Sequence, residues 1–463
     1  MKLDQLIVCN PSDDYKVLDT FEQTTFQEID KKVILAKELF SVWSQKSLQD
    51  RTQILQKLLK ALTQQQDEIA RLIALEMGMP ISIAKKWDVD SGLLHLQGYI
   101  DHAQQWLARE MVYETEQEVH TVYYEARGVV AASIPWNYPF SNFIWAVGQH
   151  LVVGNTIVIK HSEHSVLVTN FLEKIMNSIS ELGGCCQFVY GNGKDVGNYL
   201  MHSDVDMLWF TGSTQTGLLV YQAAAKKGIP VTLELGGAAP AIVLPDVDLE
   251  MAVDSIVNYR FMNSGQTCDG IKRLLVHESI YKDCLFMLVD RVKSKRLGNA
   301  LDSGVDIGPL VSKRQLESIQ SQVADALKKG AKVELGGKVP DNLHGAYYEP
   351  TILSNISFNM DVWTQEIFGP VLPIVPFSST QEAIDLANDT QYGLGGYVYT
   401  QDQQEALKIS QALNTGSVSI NNVSYVIPQD PFGGSKPASG FSRVHGKTGL
   451  QSLCNIKTVV MKK

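Results

Sequence analysis

"NTIVIKHSEHSVLVTNFLEKIMNSISELGGCCQFVY", Asn155–Tyr190, is the stretch whose reading decides the fold. "NTIVIK" reads as a short buried strand. In "SVLVTNFLEKIMNSI" the apolar residues Val168, Phe171, Leu172, Ile175, Met176 and Ile179 share one face of a helix. Gly183 and Gly184 break that helix, and "CQFVY" reads as the next strand. Strand, helix and strand in immediate succession make a β-α-β unit, which requires parallel strands.

The alternation spreads in both directions. Glu118 to Ser133, rich in Val and Tyr, reads as strands. "MLWF" and "VTLEL" are further strands, with a helix opening after "FTGSTQTG" between them. A second series follows: the strand "APAIVL", the helix "DLEMAVDSIVNYRF", and the strands "VLPIVPF", "YVYT" and "SVSIN" separated by the helices "TQEAIDLAN" and "QEALKISQAL". Towards the N-terminus, about Phe26 to Leu75 reads as helices, and "LQDRTQILQKLLKALTQQQDEIARLIALEMG" has helical periodicity and stops at Gly78. "CNIKTVVMKK" reads as a strand at an edge or an interface. The fold class is α/β with doubly wound parallel sheets. Two such domains meeting between Leu233 and Pro240 would enclose a cleft; one large α/β domain is the alternative.

Composition narrows the partners. The 463 residues suffice for two or three domains, and the formal charge of −10 disfavours nucleic acid and anionic membranes. No apolar run approaches the length of a spanning helix, and Asp4 interrupts the start of any leader-like segment. The six cysteines are irregularly spaced, which suits a reduced, cytoplasmic setting, and no metal is expected.

Several residues carry candidate chemistry. Cys268, in "NSGQTCDGIKR", is either a nucleophile or a small buried filler. Gly265 and Gly270 permit close backbone approach, and Gln266, Thr267 and Asp269 make the loop polar. Glu234 ends an apolar strand between Leu233 and Leu235, where desolvation would raise its pKa towards that of a general base. Asn137, pinned between the prolines of "SIPWNYPF", could donate to an oxyanion. Gly212 and Ser213 open a helix whose N-terminus could hold a pyrophosphate. Lys160 and Glu163 stand where a ribose could lie. The same residues also have plain readings: a strand-end ion pair, a turn asparagine, a helix cap and two solvated charges.

Together "PWNYP", "VIKHSE", "FTGSTQTG", "LELGG", "NSGQTC", "EIFGPV", "YGLGG", "SVSINN" and "PFGGSKPASG" resemble the NAD(P)-dependent aldehyde dehydrogenase superfamily over roughly Phe26 to Val460. The resemblance implies Cys268 as catalytic thiolate, Glu234 as general base, and Asn137 with the Cys268 amide as oxyanion hole. It implies Lys160 and Glu163 at the adenosine ribose, Gly212 and Ser213 at the pyrophosphate, and Trp136 along that channel. Glu366 and Phe368 fall at the nicotinamide ribose and ring, and Arg273 and Arg443 at structural positions. It further implies a Rossmann-type cofactor domain (residues 1–110 and 126–235), a second α/β catalytic domain (236–430) and a small β oligomerisation element (111–125 and 448–463), in a homodimer or homotetramer.

Lys160–His161 and "GLQSLCNIKTVV" are similar to the shorter bacterial succinate-semialdehyde-type members, whereas Ser442–Arg443–Val444 departs from the family's usual "GRE". Glu163 would repel a 2′-phosphate, so NAD is expected over NADP, which stays possible. The expected substrate pocket comprises Tyr138, Trp145, Thr267, Asp269 and Val426, with Phe143 and Tyr425 nearby. The segments Tyr138–Gln149, Gln266–Asp269 and Asn421–Pro431 contain no Lys or Arg. That points away from an anionic semialdehyde and towards a neutral, aromatic or medium-chain aldehyde, or an amino-aldehyde drawn by Asp269. A cysteine hydrolase, which would need a histidine near Cys268, is one rival reading; an esterase-type activity of the same site is another, for which the thiolate and the oxyanion hole suffice.

Overall fold

The computed structural model describes residues 5–423 and 426–463; Asp4 and Tyr425 therefore lie outside the described residues. Two parallel-strand sheets organise the chain. The first is wholly parallel, in the spatial order Cys186–Val189, Thr156–His161, Val129–Ile134, Met207–Thr211, Val231–Glu234. In chain order this is 3-2-1-4-5, the doubly wound arrangement. The order reverses between Val129–Ile134 and Met207–Thr211, and a crevice opens at the carboxyl ends of those two strands. "PWN" and "GS" follow those ends directly, so Trp136, Asn137, Gly212 and Ser213 reach the crevice through chain connectivity alone.

The second sheet runs Lys332–Leu335, Thr351–Ser354, Val371–Phe377, Ile271–His277, Ala239–Val243, Gly395–Tyr399, Ser417–Ile420. Only its first pair is antiparallel. The chain passes from sheet to sheet between Glu234 and Ala239. The central strand Ile271–His277 had no assignment from sequence, because Lys272 and Arg273 interrupt its apolar run. Both side chains are nevertheless buried.

A third sheet pairs Glu110–Glu114 and Cys454–Lys462 with the two edges of Glu118–Ala126. The long helical run ends at Gly78, as its periodicity implied. It splits at Gln65 into Leu48–Gln64 and Gln66–Met77. None of Gln64, Gln65 and Gln66 is buried, so nothing in the core holds that turn in register. No described helix is long and apolar enough to cross a membrane, and all six cysteines are free.

Candidate active site

A cleft of about 730 Å³ lies between the carboxyl edge of the first sheet and the amino edge of the second. Asn137, Glu234 and Cys268 all line it. Cys268 precedes the strand Ile271–His277 and sits in a loop under backbone strain. Asn263, Ser264 and Gly265 are consecutive left-handed residues with φ of 50°, 55° and 73°. Each non-glycine residue held there costs about 1–3 kcal/mol, so the surroundings must impose it. Asn263 Nδ2 donates to Asn137 O at 2.8 Å, Ser264 Oγ to Gly308 O at 2.8 Å, and the Val311 amide to Gln266 Oε1 at 3.0 Å. A Cβ on Gly265 would stand 2.2 Å from Gly369 O, so only glycine fits.

Asn137 Nδ2 donates to Gln266 O at 3.2 Å. This bond uses one of its two N–H groups and fixes the amide beside the Cys268 loop. Tyr138 Oη and Thr267 Oγ1 are 2.9 Å apart and tie the same two segments. Beneath them Asp88 accepts from the amides of Phe140 and Ser141 at 3.2 and 2.6 Å and anchors the turn that carries Asn137.

Charge sets the resting state. Burial raises the Cys268 thiol well above its usual value and Asp269 adds to that, while Lys272 opposes them. Asp269 Oδ1 is 4.0 Å from Cys268 Sγ, so its side chain does point towards the sulfur. Burial also raises Glu234 well above the carboxylate range, with Arg443 pulling the other way. Neither Glu234 oxygen has a hydrogen-bond partner among the described residues, which leaves both for a water or a substrate. Arg443 itself bonds Gly434 O and Ser442 O, and Arg273 is spent on Ala238, Leu386, Ala387 and Asp389 carbonyls. Both hold backbone, as expected. At the departure, Ser442 Oγ accepts from the amide of Leu233, in the strand that ends at Glu234, at 3.0 Å.

At the other end Trp136, Glu163, Gly212, Ser213, Glu366 and Phe368 line the cleft. Ser213 caps the helix Thr214–Lys227, whose N-terminus faces the crevice at the sheet's switch point. The Trp136 and Phe368 rings meet edge to face at 5.6 Å. Lys160 lies deeper than its position just after a strand implied. It is 2% exposed, does not line the cleft, and donates to His161 O and, at 3.4 Å, to Glu163 Oε2 from behind. The strand Thr156–His161 runs through it and carries its side chain into the core.

Tyr138, Trp145, Thr267, Asp269 and Val426 all line the cleft. Phe143 does not; it is fully buried against Phe188 and His161. Sequence reasoning missed Lys86, Trp87, Asp90, Tyr259, Phe432 and Arg314. The cleft therefore does contain cations, contributed by segments not counted as pocket. Lys86, Trp87 and Asp90 sit on one π-helical turn, Ala84–Asp90, and Trp145 on another, Ile144–Gly148. Lys86 Nζ lies 5.2 Å from the Trp87 ring centroid. His164 is the one histidine of the lining among the described residues, and it stands beside Glu163, away from Cys268. A cysteine hydrolase that relies on histidine therefore finds none beside Cys268 among the described residues.

Comparison with known proteins agrees with this geometry. The family model described as "Aldehyde dehydrogenase family" matches residues 2–459. Betaine aldehyde dehydrogenase of Bacillus subtilis is 36% identical over 93% of this chain and 88% of its own length. Peroxisomal aminoaldehyde dehydrogenase 2 of Pisum sativum is 34% identical over 98% of this chain and 91% of its own. Among solved structures, betaine aldehyde dehydrogenase of Staphylococcus aureus in complex with NAD+ superimposes with a TM-score of 0.94 at 31% identity, covering 99% of this chain and 92% of that one. An NADP-dependent enzyme of E. coli gives a TM-score of 0.94 at 30% identity, over 99% and 95%. These relatives bear betaine-aldehyde and aminoaldehyde names, so the finer likeness to succinate-semialdehyde-type members is not upheld. The chain belongs to the aldehyde dehydrogenase family and is an oxidoreductase of that class.

Proposed function

We propose that this protein oxidises a neutral or amino-bearing aldehyde to its carboxylic acid, with Cys268 as nucleophile and NAD as preferred acceptor. The observation that carries the reading is the convergence of Cys268, Glu234 and Asn137 on one cleft from three separate strand ends. The far end of the cleft fits a dinucleotide: an open helix N-terminus at the switch point for the pyrophosphate, the Trp136–Phe368 pair for a planar ring, and Glu163 for ribose hydroxyls. A nicotinamide bound there supplies the hydride acceptor. Glu163 disfavours a 2′-phosphate by charge, and Lys160 behind it holds that carboxylate ionised against the cost of burial.

The chain's own residues do the rest. The Cys268 thiolate adds to the aldehyde carbon, and the alkoxide of the thiohemiacetal accepts from the Asn137 amide and the Cys268 backbone N–H. Loss of hydride leaves a thioester on Cys268. Glu234 takes a proton from water as the water adds to that thioester, and the Cys268 thiolate leaves as the acid is released. Lys160 acts through Glu163. We also assign the cofactor-binding role to the first sheet, the catalytic role to the second, and an assembly role to the third. The third sheet exposes Met111, Val112, Ile456, Val460 and Met461, which suits pairing between copies into a homodimer or homotetramer.

Substrate class follows from the aldehyde end. Trp87, Tyr138, Trp145 and Tyr259 make its walls aromatic, and Asp90 and Asp269 outweigh the single cation beside them, Lys86, which leaves it net anionic. Aromatic faces and carboxylates favour ammonium groups and repel carboxylates. NADH formation from matched chains ending in ammonium, methyl and carboxylate tests this. We expect kcat/KM to fall in that order and Asp269→Ala to narrow the gap between ammonium and carboxylate. A carboxylate substrate outperforming both others overturns the assignment.

A further inference from the structure

Lys272 lies four residues after Cys268 in the nucleophile segment, and neither the chemistry above nor the family likeness gives it a role. It is the second residue of the strand Ile271–His277, and its side chain is 1% exposed. Its ammonium donates to Gly237 O at 2.8 Å, to Cys268 O at 2.8 Å and to Glu366 Oε1 at 2.5 Å. Those bonds use all three of its protons. The charge also lies 5.3 Å from the centroid of the Phe368 ring. One buried cation thus joins the turn after Glu234, the carbonyl of the nucleophile and the loop of Glu366 and Phe368.

The packing leaves little freedom around this joint. A Cβ on Gly237 would come within 2.4 Å of Cys268 O, so the two backbones meet where Lys272 bonds them. Glu366 Oε1 accepts from the Gly237 amide at 3.0 Å as well as from Lys272, so that oxygen is fully engaged. Its second oxygen, Oε2, lies beside Gly236, where a Cβ would approach to 2.4 Å. The carboxylate is fixed at the cleft wall with one oxygen anchored.

We infer that Lys272 is a positioning residue that orients the Glu366 carboxylate towards the cofactor and supplies the positive charge that offsets Asp269 at Cys268. The inference rests on the reading of Cys268 as nucleophile and Glu366 as a cofactor contact. The charged and titratable groups around the sulfur are Asp269, Lys272, Glu366 and Glu234, with the Tyr138 phenol nearby. Lys272 is the cation in that set. It explains how a cysteine next to a carboxylate can still reach its thiolate form: the opposing charge stands four residues on, in the strand that follows the loop. Removing Lys272 alone also leaves the partly buried Glu366 carboxylate at the cleft wall without its cation, which is a larger loss than removing the pair.

Alkylation of Cys268 by iodoacetamide in the cofactor-free enzyme tests this, followed on the Cys268 peptide by mass spectrometry across pH. The reaction reads the thiolate fraction and needs no aldehyde turnover. Lys272→Met should slow alkylation at pH 8 by about tenfold and move its pH profile upward; Glu366→Gln should move it downward. The Lys272→Met/Glu366→Gln double variant, which removes both charges together, should lie between them and keeps the test open where the single variant does not fold. Lys272→Met should also raise the KM for NAD more than that for the aldehyde. A double variant with the profile of Glu366→Gln, or a folded Lys272→Met with the wild-type profile, overturns the role. If wild type forms NADH while these profiles stay put, Lys272 alone is misassigned; if wild type forms none from any aldehyde, the site reading itself fails.

Discussion

The cofactor end of the cleft is made largely of backbone at the ends of parallel strands, whereas the aldehyde end is made of side chains from separate turns. At the first, Gly212, Ser213 and Trp136 are delivered by the strand order of one sheet. At the second, Trp87, Trp145 and Asp269 come from two π-helical turns and a strained loop. Topology fixes the first, and local packing fixes the second. A generic cofactor can be met by a generic frame, while the substrate is met by what is particular to this chain.

The contrast predicts where substitutions should act. The largest effect short of losing the nucleophile belongs to Glu234→Gln. Hydrolysis of the thioester should slow by about 10²–10⁴-fold while the first turnover of NADH survives, seen as a burst in stopped flow. Burial holds the Glu234 carboxyl above its usual range, so its base form grows as pH rises. Wild-type turnover limited by this step should therefore climb from neutral to alkaline pH, and the Gln variant should lose that climb. Asn137→Ala comes next, with kcat reduced by about 10²–10³-fold, because a donor aimed at the alkoxide acts on the transition state rather than on binding. Equal losses in KM alone would place Asn137 among the structural residues of the loop. The smallest effect lies at the cofactor end. Glu163→Ser should raise the NADP-to-NAD ratio of kcat/KM by about tenfold, through KM, since one screened charge at a partly exposed site is removed. A change in kcat instead would blur the division between the two ends.

Legibility in the sequence follows the same line. The first sheet is readable because "NTIVIK", "CQFVY" and "MLWF" are short apolar runs set off by glycine and helix signals. The segments carrying Cys268, Glu234 and Asn137 are readable jointly, since each sits at a strand end or in a turn of unusual composition. Lys160, read as standing just after a strand, lies within Thr156–His161, because a lysine inside a buried strand looks like one just beyond it. The strand Ile271–His277 was hidden by its two buried cations. The tunnel residues on Ala84–Asp90 and Ile144–Gly148 were missed for a different reason. A π-helical turn shifts the face of a helix by a fraction of a turn, and periodicity does not report that shift. The left-handed run at Asn263–Gly265 leaves only a faint trace, an asparagine and a glycine where such backbone is least costly.

The central claim is that oxidation proceeds through an acyl group on Cys268, and a quenched single turnover tests it most directly. Enzyme mixed with NAD and excess aldehyde, stopped within the burst and digested, should show the acyl mass on the Cys268 peptide together with one equivalent of NADH per subunit. The Cys268→Ala variant should show neither. NADH formation by the Ala variant at the wild-type rate, or an acyl adduct on any other residue, would contradict the account.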